Sequence, residues 1–147
     1  DFSVNELGKP YHKEIAGKQT VNFNISHSGE FILEGFAVGM DIGVDVQEMA
    51  GCPDYREIAG NFYTAEEAED VINEGPELFF QYWAAKEAYV KAIGIGLGRG
   101  MDFFSVRNGE ITEKGRKGQG WHLYPVKIEG YAAYVAAHKK GDKSNEL

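Results

Sequence analysis

Apolar and polar residues alternate over residues 21–26, and a second apolar run occupies 31–38. A third follows at 42–47 after a short turn. This period of two predicts three strands, close enough in sequence to pair as neighbours. After Pro53 the pattern turns helical. Residues 55–62 form a short helix, and Thr64 with Glu67 three positions later makes a capping box that opens a second helix over 65–73. The longest helix spans 77–93, and from Leu78 to Ile93 it leaves almost no polar face, so it is expected to be buried on several sides. Lys86, Glu87 and Lys91 within it therefore require partners. Residues 103–106, 120–128 and 131–137 return to strand character. Strands, then helices, then strands imply an α+β fold, an antiparallel sheet with helices packed on one face. With no linker to divide it, the chain reads as a single domain over 1–147.

The chain has 147 residues, 43% of them hydrophobic, enough for one soluble globular domain to bury a core without staples. Its formal charge of −8 argues against nucleic acid as a partner, because phosphate backbones are bound by clustered Lys and Arg. Any phosphate must be held locally. Lys86, Glu87 and Lys91 break the longest apolar stretch, which falls short of the roughly 20 residues of a bilayer span, so no membrane is expected. Cys52 is the lone cysteine; it excludes an internal disulfide and a Cys-rich zinc site and fits a reducing compartment, with cytoplasm as the expectation. The first residue is Asp1 rather than Met, which leaves open that the sequence is a piece of a longer chain.

Asp45 and Gln47, two apart on a strand, leave the same face and offer two oxygen ligands. Glu87 lies in the apolar helix, where a carboxylate needs a cation or hydrogen bonds. Mg²⁺ would serve, since it takes one or two carboxylates and completes its shell with substrate phosphate and water. The plainer reading is a Glu87–Lys91 ion pair at i,i+4 on the helix surface. Ser26, His27 and Ser28 end a strand before Gly29, which suits either a phosphate grip or a simple capped turn. The glycines at 94, 96, 98 and 100 follow a helix instead of preceding one, so they read as a helix stop and not a phosphate loop. His12, His122 and His138 lack metal-ligand spacing.

Five segments in order, Gly8-Lys9-Pro10, residues 22–29, residues 43–47, residues 62–67 and residues 83–91, resemble the 4′-phosphopantetheinyl transferases. The likeness is nearest to their two-lobed, peptide-synthetase-activating type and runs from Gly8 to about His138. It implies transfer of phosphopantetheine from coenzyme A to a serine of an apo acyl- or peptidyl-carrier protein, with Mg²⁺ as the metal. By the family pattern Asp45 and Glu87 hold the ion, and Gln47 is a third candidate ligand. Lys86 and Lys91 supply positive charge, Ser26 and His27 contact coenzyme A phosphate, and Gly8, Lys9 and Pro10 line the adenine site. Glu87 is then the candidate acceptor of the serine proton, with Lys91 beside it. Residues 49–62 resemble the carrier-docking region, where Tyr55, Ile58 and Phe62 would present an apolar patch unless they are core.

Two departures stand out. Many members carry Glu where this chain has Gln47, which removes one negative charge from the site. The two-lobed type also has a further lobe before Gly-Lys-Pro, whereas seven residues precede Gly8 here. The resemblance therefore implies an N-terminal lobe outside this sequence, or a homo-oligomer that closes the cleft. Two competing functions remain at this level, a non-catalytic module that binds coenzyme A or a carrier protein, and a Mg²⁺-dependent hydrolase of small phosphate esters.

Overall fold

Strand β5, Met40–Glu48, runs through the middle of the molecule, and the other elements are arranged around it. The computed structural model describes residues 2–4, 10–12 and 20–139. Before β5 come β1 (Phe2–Val4), β2 (Pro10–His12), β3 (Val21–Ser28) and β4 (Phe31–Val38). After it come helices α1 (Tyr55–Phe62), α2 (Ala65–Glu74) and α3 (Pro76–Ile93). Short strands β6 (Phe104–Ser105), β7 (Thr112–Glu113) and β8 (Arg116–Lys117) follow, then β9 (Trp121–Pro125) and β10 (Tyr131–Lys139). The α+β class and the antiparallel pairing match the expectation from sequence.

The pairing itself differs from that expectation. β3 and β4 form a hairpin, but β5 joins β10 and β9 in a separate antiparallel sheet of order β5-β10-β9. β3 instead lies along β5 and meets it through side chains. Asn24 Oδ1, Ser26 Oγ and Ser28 Oγ accept the backbone N–H groups of Val44, Val46 and Glu48 at 2.8, 3.1 and 2.9 Å. Asn22 Nδ2 donates to the Met40 carbonyl at 2.6 Å. Every second residue of β3 thus supplies what a neighbouring strand's backbone would have supplied. The segment at 103–106 is strand only at Phe104–Ser105, and 120–128 is strand only at Trp121–Pro125.

The helices match closely. The capping box is complete, with Glu67 N–H donating to Thr64 Oγ1 and Thr64 N–H to Glu67 Oε2. α3 starts with Pro76 in its first turn and stops at Gly94, whose φ of 73° lets its N–H close on the Val90 carbonyl. Residues 84–90 of α3 are buried without a break, as the missing polar face requires. The helix lies across β5 and β10, where Ala132 and Ala136, opposite Gln47 and Gly43, keep the sheet surface low. Its other sides are filled by Tyr63, Val71, Met101, Phe104 and Val106.

Candidate active site

Gly43, Asp45 and Gln47 share the face of β5 that looks toward α3. A Cβ on Gly43 would overlap the Ala88 carbonyl and the Ala92 amide, so helix and strand meet there backbone to backbone. Only glycine permits that approach. The residues just before Ala88 and Ala92 are Glu87 and Lys91, one helical turn apart, and close packing at Gly43 brings both beside Asp45.

Asp45 is 2% exposed. Its Oδ1 accepts from Ser26 Oγ and from Lys91 Nζ, each at 3.1 Å, and its Oδ2 accepts from Gln47 Nε2 at 2.8 Å. Lys91 Nζ also donates to the Val44 carbonyl at 3.1 Å. Burial raises the Asp45 pKa, and the Gln47, Lys91 and Ser26 contacts pull against it. The bond Lys91 makes is therefore to Asp45 across the helix–strand junction, not the i,i+4 surface pair with Glu87 that the plainer reading favoured.

Glu87 is 8% exposed, and its carboxylate makes no hydrogen bond or ion pair to another described residue. Burial first, then the negative charge of Asp45, push its pKa from 4.5 to about 7, with Lys91 as the opposing influence. The charge of Asp45 thus acts on Glu87 from a separate element, and Lys91, bonded to Asp45, acts on Glu87 in the opposite sense. Among the described residues no group of three or more His, Cys, Asp and Glu forms a metal-binding set. Two carboxylates with a neutral amide beside them nevertheless match the hard-oxygen demand of Mg²⁺ when a phosphate completes the shell.

Comparison with known proteins resolves the family. The sequence model of the 4′-phosphopantetheinyl transferase superfamily matches residues 41–137, which takes in all of β5 but Met40, all three helices and most of β10. This chain belongs to that superfamily. A 4′-phosphopantetheinyl transferase of Bacillus subtilis is 36% identical over 110 residues, 72% of this chain and 46% of that protein. One from Bacillus pumilus is 32% identical over 113 residues, 74% of this chain and 46% of the relative. The L-aminoadipate-semialdehyde dehydrogenase-phosphopantetheinyl transferase of Rattus norvegicus is 26% identical over 161 aligned positions, covering 90% of this chain and 52% of that protein. The chain spans about half the length of the curated relatives it matches.

Within this superfamily member, Asp45, Gln47, Glu87, Lys91 and Ser26 come together, and Lys86 does not join them. Lys86 is fully buried on another side of α3, paired with Glu67 Oε2 at 2.8 Å and donating to the carbonyls of Met101 and Phe104. All three ammonium protons are engaged, which leaves none for a coenzyme A phosphate. Lys86 instead ties α3 to α2, to the loop before β6 and to the first residue of β6, and its partner Glu67 also accepts from Val106 N–H at 2.7 Å. Sequence reading saw Glu67 only as a capping residue. His27 is exposed on the outer face of β3, while Ser26 is turned inward and buried. Gly8 and Lys9 lie outside the described residues, and Pro10 is described only as part of β2. His122 stacks on Tyr124 and His138 on Trp121. Phe62 is 41% exposed, whereas Tyr55 and Ile58 pack against the core. At the C-terminal end of β5, residues 49–53 with Tyr55, Pro76, Glu77 and Phe80 line a largely apolar cavity of about 550 Å³.

Proposed function

We propose that this protein transfers 4′-phosphopantetheine from coenzyme A to a serine of an apo acyl- or peptidyl-carrier protein, with Mg²⁺ held between Asp45 and Glu87. One observation carries the reading. Glu87 is buried within reach of the Asp45 charge and makes no hydrogen bond or ion pair to another described residue, and its pKa is raised to about 7. Such an arrangement is unfavourable for folding alone and suits a site that binds a cation. Gln47 gives its amide N–H to Asp45, and its carbonyl oxygen is the proposed neutral third ligand. When bound, Mg²⁺ neutralises the diphosphate as charge develops on the leaving group.

The chain's own residues then have distinct tasks. The carrier serine oxygen bonds to the pantetheine-bearing phosphorus, the bond from that phosphorus to the bridging oxygen breaks, and adenosine 3′,5′-bisphosphate leaves. Glu87 is the group proposed to accept the serine proton. Lys91, anchored through two of its protons on Asp45 and the Val44 carbonyl, turns its third toward the diphosphate. His27, on the exposed face of β3, is the residue proposed to meet a coenzyme A phosphate. By the family pattern Gly8, Lys9 and Pro10 serve the adenine.

Incubating the protein with coenzyme A, Mg²⁺ and an apo carrier protein, then weighing the carrier, tests this. The expected result is a carrier heavier by one phosphopantetheine. Coenzyme A binding without any adduct would leave a binding module in its place, and phosphate-ester cleavage without a carrier would indicate a hydrolase.

A further inference from the structure

We infer that Ser26 is a positioning residue for the metal-binding carboxylate and does not itself contact phosphate, an inference that rests on the Mg²⁺ reading above. Three residues of β3, Asn24, Ser26 and Ser28, cap successive N–H groups along the free edge of β5. Ser26 alone among them also holds a site residue. Its oxygen accepts the Val46 N–H at 3.1 Å, which fixes the direction left for its proton, and that proton goes to Asp45 Oδ1 at 3.1 Å. The residue is 7% exposed. Its hydroxyl is thus inside the β3–β5 junction, while His27, the next residue, faces outward.

The consequence for Asp45 is directional. Oδ1 carries two donors, Ser26 and Lys91, and Oδ2 carries one, Gln47. Ser26 and Gln47 approach opposite oxygens and hold the plane of the carboxylate between them, so the lone pairs left for a cation keep one orientation. Removing Ser26 Oγ frees the carboxylate to turn with Lys91, the longer and more flexible partner. Partners of this kind behind a ligand typically change metal affinity by roughly 10- to 100-fold.

The test is Mn²⁺ binding, as a stand-in for Mg²⁺, followed by electron paramagnetic resonance on the full-length protein, with coenzyme A affinity measured separately in chelator. Ser26→Ala is expected to weaken Mn²⁺ binding at least about tenfold and to leave metal-free coenzyme A binding unchanged. Ser26→Thr, which restores the hydroxyl, should recover most of the loss. Asn24→Ala and Ser28→Ala remove the flanking rungs of the same ladder without touching Asp45, and should stay within about twofold of wild type in Mn²⁺ affinity. In an Asp45→Asn background, Ser26→Ala should have no further effect on Mn²⁺. The inference is overturned if Ser26→Ala lowers coenzyme A affinity with Mn²⁺ binding intact, or if the two flanking variants weaken Mn²⁺ as much as Ser26→Ala. If the wild-type protein binds no Mn²⁺ at all, the Mg²⁺ reading itself fails.

Discussion

A carboxyl group that keeps its proton to about pH 7 reverses the usual acid sensitivity of a protein. Glu87 has a folded-state pKa of about 7 against an ordinary 4.5, so between these values the folded chain holds a proton that the unfolded chain has lost. That contribution to stability is fully present below pH 4.5 and disappears as pH rises through 7; Asp45, also raised, acts in the same sense. In chelator, urea midpoints should therefore fall from pH 5 to pH 8, and Glu87→Gln should flatten the fall. Mg²⁺ competes with the same proton, so its affinity should rise over that range. Lys86 and Glu87 are sequence neighbours with opposite expected phenotypes. Lys86→Met leaves Glu67 buried without its counter-ion and should cost about 3–5 kcal/mol in chemical denaturation. Glu87→Gln should abolish carrier modification and leave the midpoint at neutral pH unchanged or higher. The sequence flagged Lys86, Glu87 and Lys91 of α3 as needing partners, but could not distinguish Lys86 from Lys91. Their partners, Glu67 and Asp45, come from elements whose docking is not encoded locally.

At the scale of elements, helices were legible because their signals are local: a capping box at Thr64, a proline after Gly75 and a glycine stop at Gly94. Strand partners were not. β5 pairs with β10, more than 80 residues away, whose short alanine-rich surface gives no sign of its neighbour. The alternation of Asn24, Ser26 and Ser28 was present in the sequence as a polar row, and its meaning as a ladder of side chains emerges only once β5 lies beside it. The resemblance implied that Asp45 and Glu87 act together, whereas the contact at Gly43 that seats α3 on β5 was not legible in the sequence. Gly43→Ala must force α3 away from β5. We expect about 1–3 kcal/mol of destabilisation in thermal unfolding, together with weakened Mg²⁺ binding, because Glu87 and Lys91 move with the helix. A core truncation remote from that junction, Val71→Ala, should destabilise without changing Mg²⁺ affinity.

The whole molecule carries a formal charge of −8 and, among its described residues, has no helix long and apolar enough to cross a membrane. That charge offers an acidic carrier protein no attraction at long range. On the proposed function, docking of such a carrier would need local basic or apolar contacts, and Phe62 and the cavity beside the end of β5 are apolar features among the described residues. The KM for an acidic carrier should accordingly hold steady or fall as salt is raised, since screening removes a repulsion instead of an attraction. At this scale, membership of the superfamily was legible in five short segments, while the division of the strands into separate sheets was not. The account as a whole depends on Asp45 and Glu87 acting together on one Mg²⁺–diphosphate unit. The direct test is calorimetric titration of coenzyme A into wild-type, Asp45→Ala and Glu87→Ala proteins, with Mg²⁺ and in chelator. Mg²⁺ should tighten coenzyme A binding to the wild type and have no effect on either variant, while affinity in chelator is retained by all three. Undiminished Mg²⁺ enhancement in both variants would contradict it.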